Sequence, residues 1–181
     1  MRIYLIRHPK PLDVIGQCYG RRDVAVGAHD VSIAVTTVRQ HLSASILHCA
    51  PIYTSPLSRC VTLARAVATR GSPAVEHDLI EMDFGSWEGQ SWDDVPRDQL
   101  GAWAEDIWGY HPGGGENAHA VADRWRLFVN RMRLVSCDTV IAVTHAGIIR
   151  VALAISAPQA LSELVRAPIG FGSIHTLEVS K

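Results

Sequence analysis

The five residues Thr139-Val140-Ile141-Ala142-Val143 limit the fold more than any other stretch of the chain. They are apolar or β-branched at every position, without alternation, so as a strand they present two faces that both need cover. Such a strand belongs in the interior of a sheet with helices on either side. The rest of the chain supplies those partners. Residues 3–6, 51–54, 74–80 and 173–179 read as further strands, the first of them a short apolar run stopped by Arg7-His8-Pro9. Val31, Val35, Val38, Leu42 and Ile46 recur at helical spacing, with Asp30 or Ser32 as a cap. A second helix is expected with Ser55 as its cap, Pro56 as its first residue and Val61, Ala64 and Ala68 turned inward, reaching about Arg70. Val121, Trp125, Phe128, Met132 and Val135 mark a third, and residues 148–155 a fourth. The alternation predicts an α/β fold: a three-layer sandwich whose central sheet is mostly parallel and flanked by helices.

Two stretches resist assignment to regular elements. Residues 9–30 contain Pro9, Pro11, Gly16, Gly20 and Gly27 and show no sustained period, the mark of a long functional loop. Residues 83–115 are rich in Trp and Asp, are interrupted by Gly85, Gly89, Pro96 and Gly109, and end in Pro112-Gly113-Gly114-Gly115. We read them as an insertion with one or two short helices, placed over the active site. At 181 residues the chain is long enough for one substantial core, and residues 1–181 are expected to form a single domain.

The formal net charge of -1 gives no global reason to expect nucleic acid or an anionic membrane as partner, so any anion recognition must be local. Cys18, Cys49, Cys60 and Cys137 form no CxxC pair and no cluster with zinc-binding spacing, and read as reduced thiols. The nine histidines include no HExxH, which leaves neither a metal nor a cofactor to be expected. The apolar run at the start is too short for a secretory segment or a membrane span, and a cytoplasmic protein is the simplest expectation.

In an open α/β sheet, ligands bind beyond the carboxyl ends of the strands. His8 and His145 both fall at such ends, Arg7 precedes His8, and Arg59 sits one turn into the helix after the second strand. Helix starts near Ser55 and Ala146 offer unpaired amides to an anion, and arginine forks match phosphate oxygens. A histidine among these cations is biased to its neutral, nucleophilic form. A proton donor for a leaving alcohol is still needed, and Glu81 and Asp83 both qualify. Each histidine alone is weak evidence. His29, His41, His48, His77, His111, His119 and His175 read as surface, capping or core residues, and Trp87, Trp92, Trp103 and Trp108 as packing for the insertion. Gly113 to Gly115 reads as a turn, because no Lys-Ser or Lys-Thr follows as in a phosphate loop.

The ordered set of motifs resembles the histidine phosphatases, the phosphoglycerate mutase-like family. Leu5-Ile6-Arg7-His8 is similar to its N-terminal signature, and Ser55-Pro56-Leu57-Ser58-Arg59 to its second segment. Glu81-Met82-Asp83-Phe84-Gly85 is similar to its acid-bearing segment, and Thr144-His145-Ala146-Gly147 to its second histidine. The resemblance implies His8 as phospho-acceptor, Arg7, Arg59 and His145 as the phosphate pocket, Glu81 as proton donor, and no metal. Cys18-Tyr19-Gly20-Arg21-Arg22-Asp23 and Pro112-Gly113-Gly114-Gly115-Glu116-Asn117 are similar to the α-ribazole phosphatase branch, which acts on a precursor of the cobalamin nucleotide loop. On that likeness Tyr19, Gly20 and Arg21 join the substrate site. Pro9 stands where the family usually has glycine, which implies a stiffer loop, and residues 10–16 lack the asparagine of the mutases. The expected activity is hydrolysis of a small phosphomonoester, by a monomer or homodimer. A broad-specificity phosphomonoesterase, a phosphoglycerate mutase and a non-catalytic phosphate binder are the alternatives.

Overall fold

The computed structural model describes residues 1–156 and 168–180. Its strands are β1 (Arg2–Arg7), β2 (Ile52–Thr54), β3 (Ala74–Val75), β4 (Thr139–Thr144) and β5 (Ile174–Glu178), in the sheet order β3-β2-β4-β1-β5. The pairs β1–β4, β2–β4 and β2–β3 are parallel, and only β5 runs antiparallel, against β1. The strand at 139–143 is thus interior, as its unbroken apolar character demands, and the sheet is the mostly parallel one expected.

Side-chain alternation along β1 and β4 divides the core. Ile3, Leu5, Val140 and Ala142 pack with Val121, Trp125 and Phe128 of α5 (Ala118–Arg133) and Ile148 and Ile149 of α6 (Ala146–Ser156). Tyr4, Ile6, Ile141 and Val143 face the other way, onto Ala34 and Val38 of α1 (Ala28–His41) and Cys60, Leu63, Ala64 and Val67 of α3 (Ser58–Val67). Those are the three layers. A satellite core of Cys18, Trp87 and Val95, with Phe84, Trp92, Leu100, Trp103 and Tyr110, joins the insertion and its helix α4 (Arg97–Glu105) to the loop at 9–30. Among the described residues no helix is long and apolar enough to cross a membrane.

Several boundaries depart from expectation for identifiable reasons. The helical period through Leu42 and Ile46 belongs to two helices. The chain leaves the helical region at Leu42, and Ser43 caps α2 (Ala44–Cys49) by accepting the Ile46 N–H at 3.3 Å. Neither Asp30 nor Ser32 caps α1: its cap is Gly27, and Asp30 sits in the first turn, where a carboxylate favours the helix dipole. Helix α3 starts at Ser58 and not at Pro56. Its first amide is satisfied from across the loop by the Asp23 carboxylate, at 2.8 Å from the Ser58 N. On this helix Leu63 and Val67 complete the buried face, with Val61 only half-buried. The third strand is two residues long, and the chain then turns through a 3-10 segment, His77–Leu79. Leu79 is fully buried there, and its carbonyl accepts the Thr144 hydroxyl at 2.7 Å. The fourth helix begins at Ala146, directly after His145.

Pro112-Gly113-Gly114-Gly115 packs backbone against backbone with residues 83–87. A Cβ on Gly113, whose φ is +58°, would strike the Phe84 carbonyl, and one on Gly115 would strike the Asp83 carbonyl. The glycines serve close approach.

Candidate active site

The register of the sheet assembles the site. Arg7 of β1 lies opposite Thr144 of β4, so the next residues, His8 and His145, leave neighbouring strands together. The His8 N–H donates to the Thr144 carbonyl at 3.0 Å, and the two imidazoles stand 5.2 Å apart. On the far side of β4, β2 ends at the same level: the Ser55 N–H donates to the Val143 carbonyl at 3.0 Å. The chain then enters α3, which carries Arg59 on its buried face.

His8 is 1% exposed, and its Nδ1 lies 2.7 Å from the Pro9 carbonyl oxygen. A carbonyl only accepts, so Nδ1 carries the proton and Nε2 keeps its lone pair. Replacing glycine by proline at this position removes an N–H but keeps the carbonyl that orients the imidazole. Burial, then the Arg59 charge, hold His8 well below its ordinary pKa, against the Pro9 hydrogen bond. Burial, then His8 and Arg59, do the same for His145. The His145 Nε2 lies 2.7 Å from the Ser55 hydroxyl and 3.4 Å from the Cys60 sulfur. Burial pushes the Cys60 thiol up, and the Cys18 thiol to about 12, so neither is a thiolate nucleophile.

The sign of the linkage follows. An unfolded chain takes up a proton on each of these histidines near pH 6.5, whereas the folded chain does so only further down. Stability is therefore full above about pH 7 and falls below it, by about 1.4 kcal/mol per pH unit for each histidine. Urea midpoints at pH 7.5, 6.5 and 5.5 should fall in that order, and His8→Asn should flatten the decline. A midpoint independent of pH would show that both imidazoles take up protons in the folded protein.

Arg59 is fully buried, with Nη1 donating to the Arg22 carbonyl at 2.7 Å, Nη2 to the Gly20 carbonyl at 2.6 Å, and Nε without a partner. Arg7 donates Nη1 to the Ile169 carbonyl, lies 3.8 Å from the Phe171 ring centre and also has an unpartnered buried Nε. None of the ion pairs among the described residues involves Arg7 or Arg59. Two cations and two neutral imidazoles, with no carboxylate paired to either cation, make a place for an anion.

A cavity of about 300 Å³ opens beside this centre, lined by Arg7, Tyr19, Gly20, Glu81, Gly147 and Arg150 on its polar side. Met82, Phe84, Trp92, Trp103, Ile107 and Val151 form its apolar wall. Of the two candidate acids, Glu81 reaches the cavity, and its Oε2 accepts the Gly147 N–H at 3.2 Å. A Cβ at position 147 would collide with that carboxylate. Asp83 does not line the cavity: its Oδ1 accepts the Gly85 N–H at 2.8 Å and its Oδ2 lies 3.6 Å from Arg21. Tyr19 and Gly20 both line the cavity, the Tyr19 ring 5.2 Å from the Arg59 guanidinium. Arg21 turns away from the cavity, with Nε on the Glu81 carbonyl at 3.2 Å and Nη2 on the Glu116 carboxylate at 3.2 Å.

Other contributors carried weaker signals in the sequence. Ser55, read as a helix cap, accepts the Leu57 N–H at 3.3 Å and also bonds His145 at 2.7 Å. Trp92 and Trp103 do pack within the insertion, stacked 9° from parallel, but they also wall the cavity. Phe171 had no signal beyond its flanking glycines; Gly172, at φ +71°, turns the chain so that its N–H reaches the Arg7 and His8 carbonyls at 3.2 Å. Among the described residues no three His, Cys, Asp or Glu side chains come together in a way that could hold a metal ion.

The family model for the histidine phosphatase superfamily (branch 1) matches residues 3–181. The chain is 30% identical over 138 residues to the bifunctional protein Rv2228c of Mycobacterium tuberculosis, an alignment that covers 71% of this chain and 37% of that protein. It thus spans little more than a third of the length of the curated relatives it matches. Among solved structures, the α-ribazole phosphatase of Shigella flexneri superposes with a TM-score of 0.83 at 22% identity, covering 100% of this chain and 92% of that one. The phosphoglycerate mutase of Thermus thermophilus does so at 0.74 and 24% identity, covering 97% and 92%. At these identities the likeness is one of fold.

Proposed function

Because the chain belongs to the histidine phosphatase superfamily, we propose that it hydrolyses a small phosphomonoester through a phosphohistidine at His8. The observation that carries this reading is the buried Arg59, without a carboxylate partner, beside an imidazole whose Nδ1 proton is committed to the Pro9 carbonyl. In the first step His8 Nε2 attacks phosphorus, the bond to the leaving oxygen breaks, and the protonated Glu81 carboxyl gives that oxygen its proton. In the second, the Glu81 carboxylate takes a proton from water, whose oxygen attacks the phosphohistidine and releases inorganic phosphate. Arg7, Arg59 and His145 bind the equatorial oxygens, on which charge builds in both transition states.

For the substrate we favour α-ribazole 5'-phosphate. A flat apolar base on a ribose suits a cavity of about 300 Å³ walled by Phe84, Trp92, Trp103 and Ile107, with Gln17 also on its lining for polar groups. The test has two arms. Labelled substrate should leave an acid-labile, base-stable phosphate on the protein, and a base-labile phosphoserine would reject the mechanism. In a panel of phosphomonoesters, α-ribazole 5'-phosphate should give the highest kcat/KM. Conversion of 3-phosphoglycerate to 2-phosphoglycerate in the presence of 2,3-bisphosphoglycerate would make the protein a mutase instead.

A further inference from the structure

Arg21 directs its guanidinium away from the cavity and into the segment that carries Glu81. Its Nε donates to the Glu81 carbonyl at 3.2 Å, its Nη2 to the Glu116 carboxylate at 3.2 Å, and its Nη1 lies 3.6 Å from the Asp83 carboxylate. Glu116 is gripped from behind by Arg124, Nε to Oε1 at 2.8 Å and Nη2 to Oε2 at 2.9 Å. It also closes on the same segment through its backbone, its N–H donating to the Asp83 carbonyl at 2.8 Å. Arg124 adds a bond to the Asp78 carbonyl at 2.8 Å. On the other flank, the Glu88 carboxylate accepts the N–H groups of Arg21 at 2.8 Å, Arg22 at 3.0 Å and Phe84 at 3.1 Å. Residues 78–84 are therefore clasped to the loop at 20–22 and to α5 by charged groups whose bonds converge on backbone.

We infer that Arg21, backed by Glu116 and Arg124, is a positioning residue for the Glu81 carboxyl, an assignment that rests on reading Glu81 as the acid. Glu81 is a long side chain, and its aim toward the leaving oxygen is only as good as the placement of its own backbone. Arg21 holds that backbone at the Glu81 carbonyl. It stands next to Gly20, whose carbonyl holds Arg59, so its side chain, with the Glu88 carboxylate, ties the acid to the phosphate grip. An ångström of misplacement between reacting groups costs about 100-fold in rate. As a stabilising ion pair the contact would contribute little, since the Arg21 side chain is 36% exposed.

Arg21→Met keeps the stem and removes the donors. With this variant, the ratio of kcat/KM on β-glycerol phosphate, whose alkoxide needs a proton, to kcat/KM on p-nitrophenyl phosphate, whose phenolate leaves without one, should fall at least ten-fold; kcat/KM reports the phosphorylation step alone, whereas kcat also contains the attack of water common to both esters. Kd for vanadate should stay within about two-fold. In the Glu81→Gln background Arg21→Met should add no further loss on β-glycerol phosphate, and Arg21→Lys should restore part of the ratio. Glu116→Gln, acting from the far side of the same clasp, should move the ratio the same way and decides the matter if Arg21→Met does not fold. Equal losses of kcat/KM on both esters would make the contact purely structural, and weakened vanadate binding would make Arg21 a phosphate ligand; either overturns the inference. If Glu81→Gln itself lowers kcat/KM on both esters equally, the acid assignment falls and this inference with it. If Glu81→Gln is selective and Arg21→Met is not, only the inference falls.

Discussion

With His8→Ala, kcat is expected to fall by about 10,000-fold or more, with no phosphoenzyme trapped and with the far-ultraviolet circular dichroism of the native protein. The size of the loss follows from the division of labour proposed for the site. On that reading Arg7, Arg59 and His145 would still bind phosphate in the variant, but they would only stabilise charge that bond-making creates, and without an attacking nitrogen no bond is made. Removal of a covalent nucleophile has costs of this order elsewhere. The fold should tolerate the change: the imidazole is buried in its neutral form and makes one hydrogen bond, to the carbonyl of its own neighbour. Its loss leaves the His8 backbone bond to Thr144 in place. A residual rate within ten-fold of wild type on p-nitrophenyl phosphate would mean that the nucleophile is another group.

Arg59→Met is expected to lower kcat/KM by about 100- to 1,000-fold and to change stability far less than the removal of a fully buried side chain ordinarily would. Two effects oppose each other. The Gly20 and Arg22 carbonyls each lose a donor, which costs about 1–3 kcal/mol apiece when they stay dry. Against this, the wild-type protein keeps a buried guanidinium with an unpartnered Nε and no carboxylate paired to it, a desolvation cost that methionine does not bear. The clearest readout is the response to orthovanadate, which takes up the five-coordinate geometry of the transferring phosphoryl group. It should raise the Tm of the wild type and leave that of Arg59→Met unmoved. An equal rise in both would place the anion away from Arg59.

The sequence disclosed what depends on local pattern and on the rule that parallel strands present their carboxyl ends together. The unalternated residues of β4 announced an interior strand, and the motifs at its end and at the end of β1 announced two histidines side by side. Features that depend on a partner distant in the chain stayed hidden. Ser55 takes up the Leu57 amide as its capping sequence suggests, yet its hydroxyl also bonds a histidine 90 residues on, and the first amide of α3 goes to Asp23. Arg21 lies in a motif that suggested substrate contact, and only the fold brings Glu116, 95 residues away, to turn it inward. The break after His41 was masked because Leu42 and Ile46 stay apolar whether or not one helix carries them.

The pairing of β1 with β4 and β5 also governs how the molecule comes into being. On the ribosome, β1, which leads into His8, emerges before both strands that flank it, which lie more than 130 residues further along the chain. At ordinary rates of synthesis it waits on the order of ten seconds for them. Through that interval its apolar residues lack their eventual neighbours, and long-range parallel pairing is slow once they arrive. The centre around His8 and His145 is thus completed only after β4 has been made, and the activity proposed for it cannot appear on the nascent chain before then.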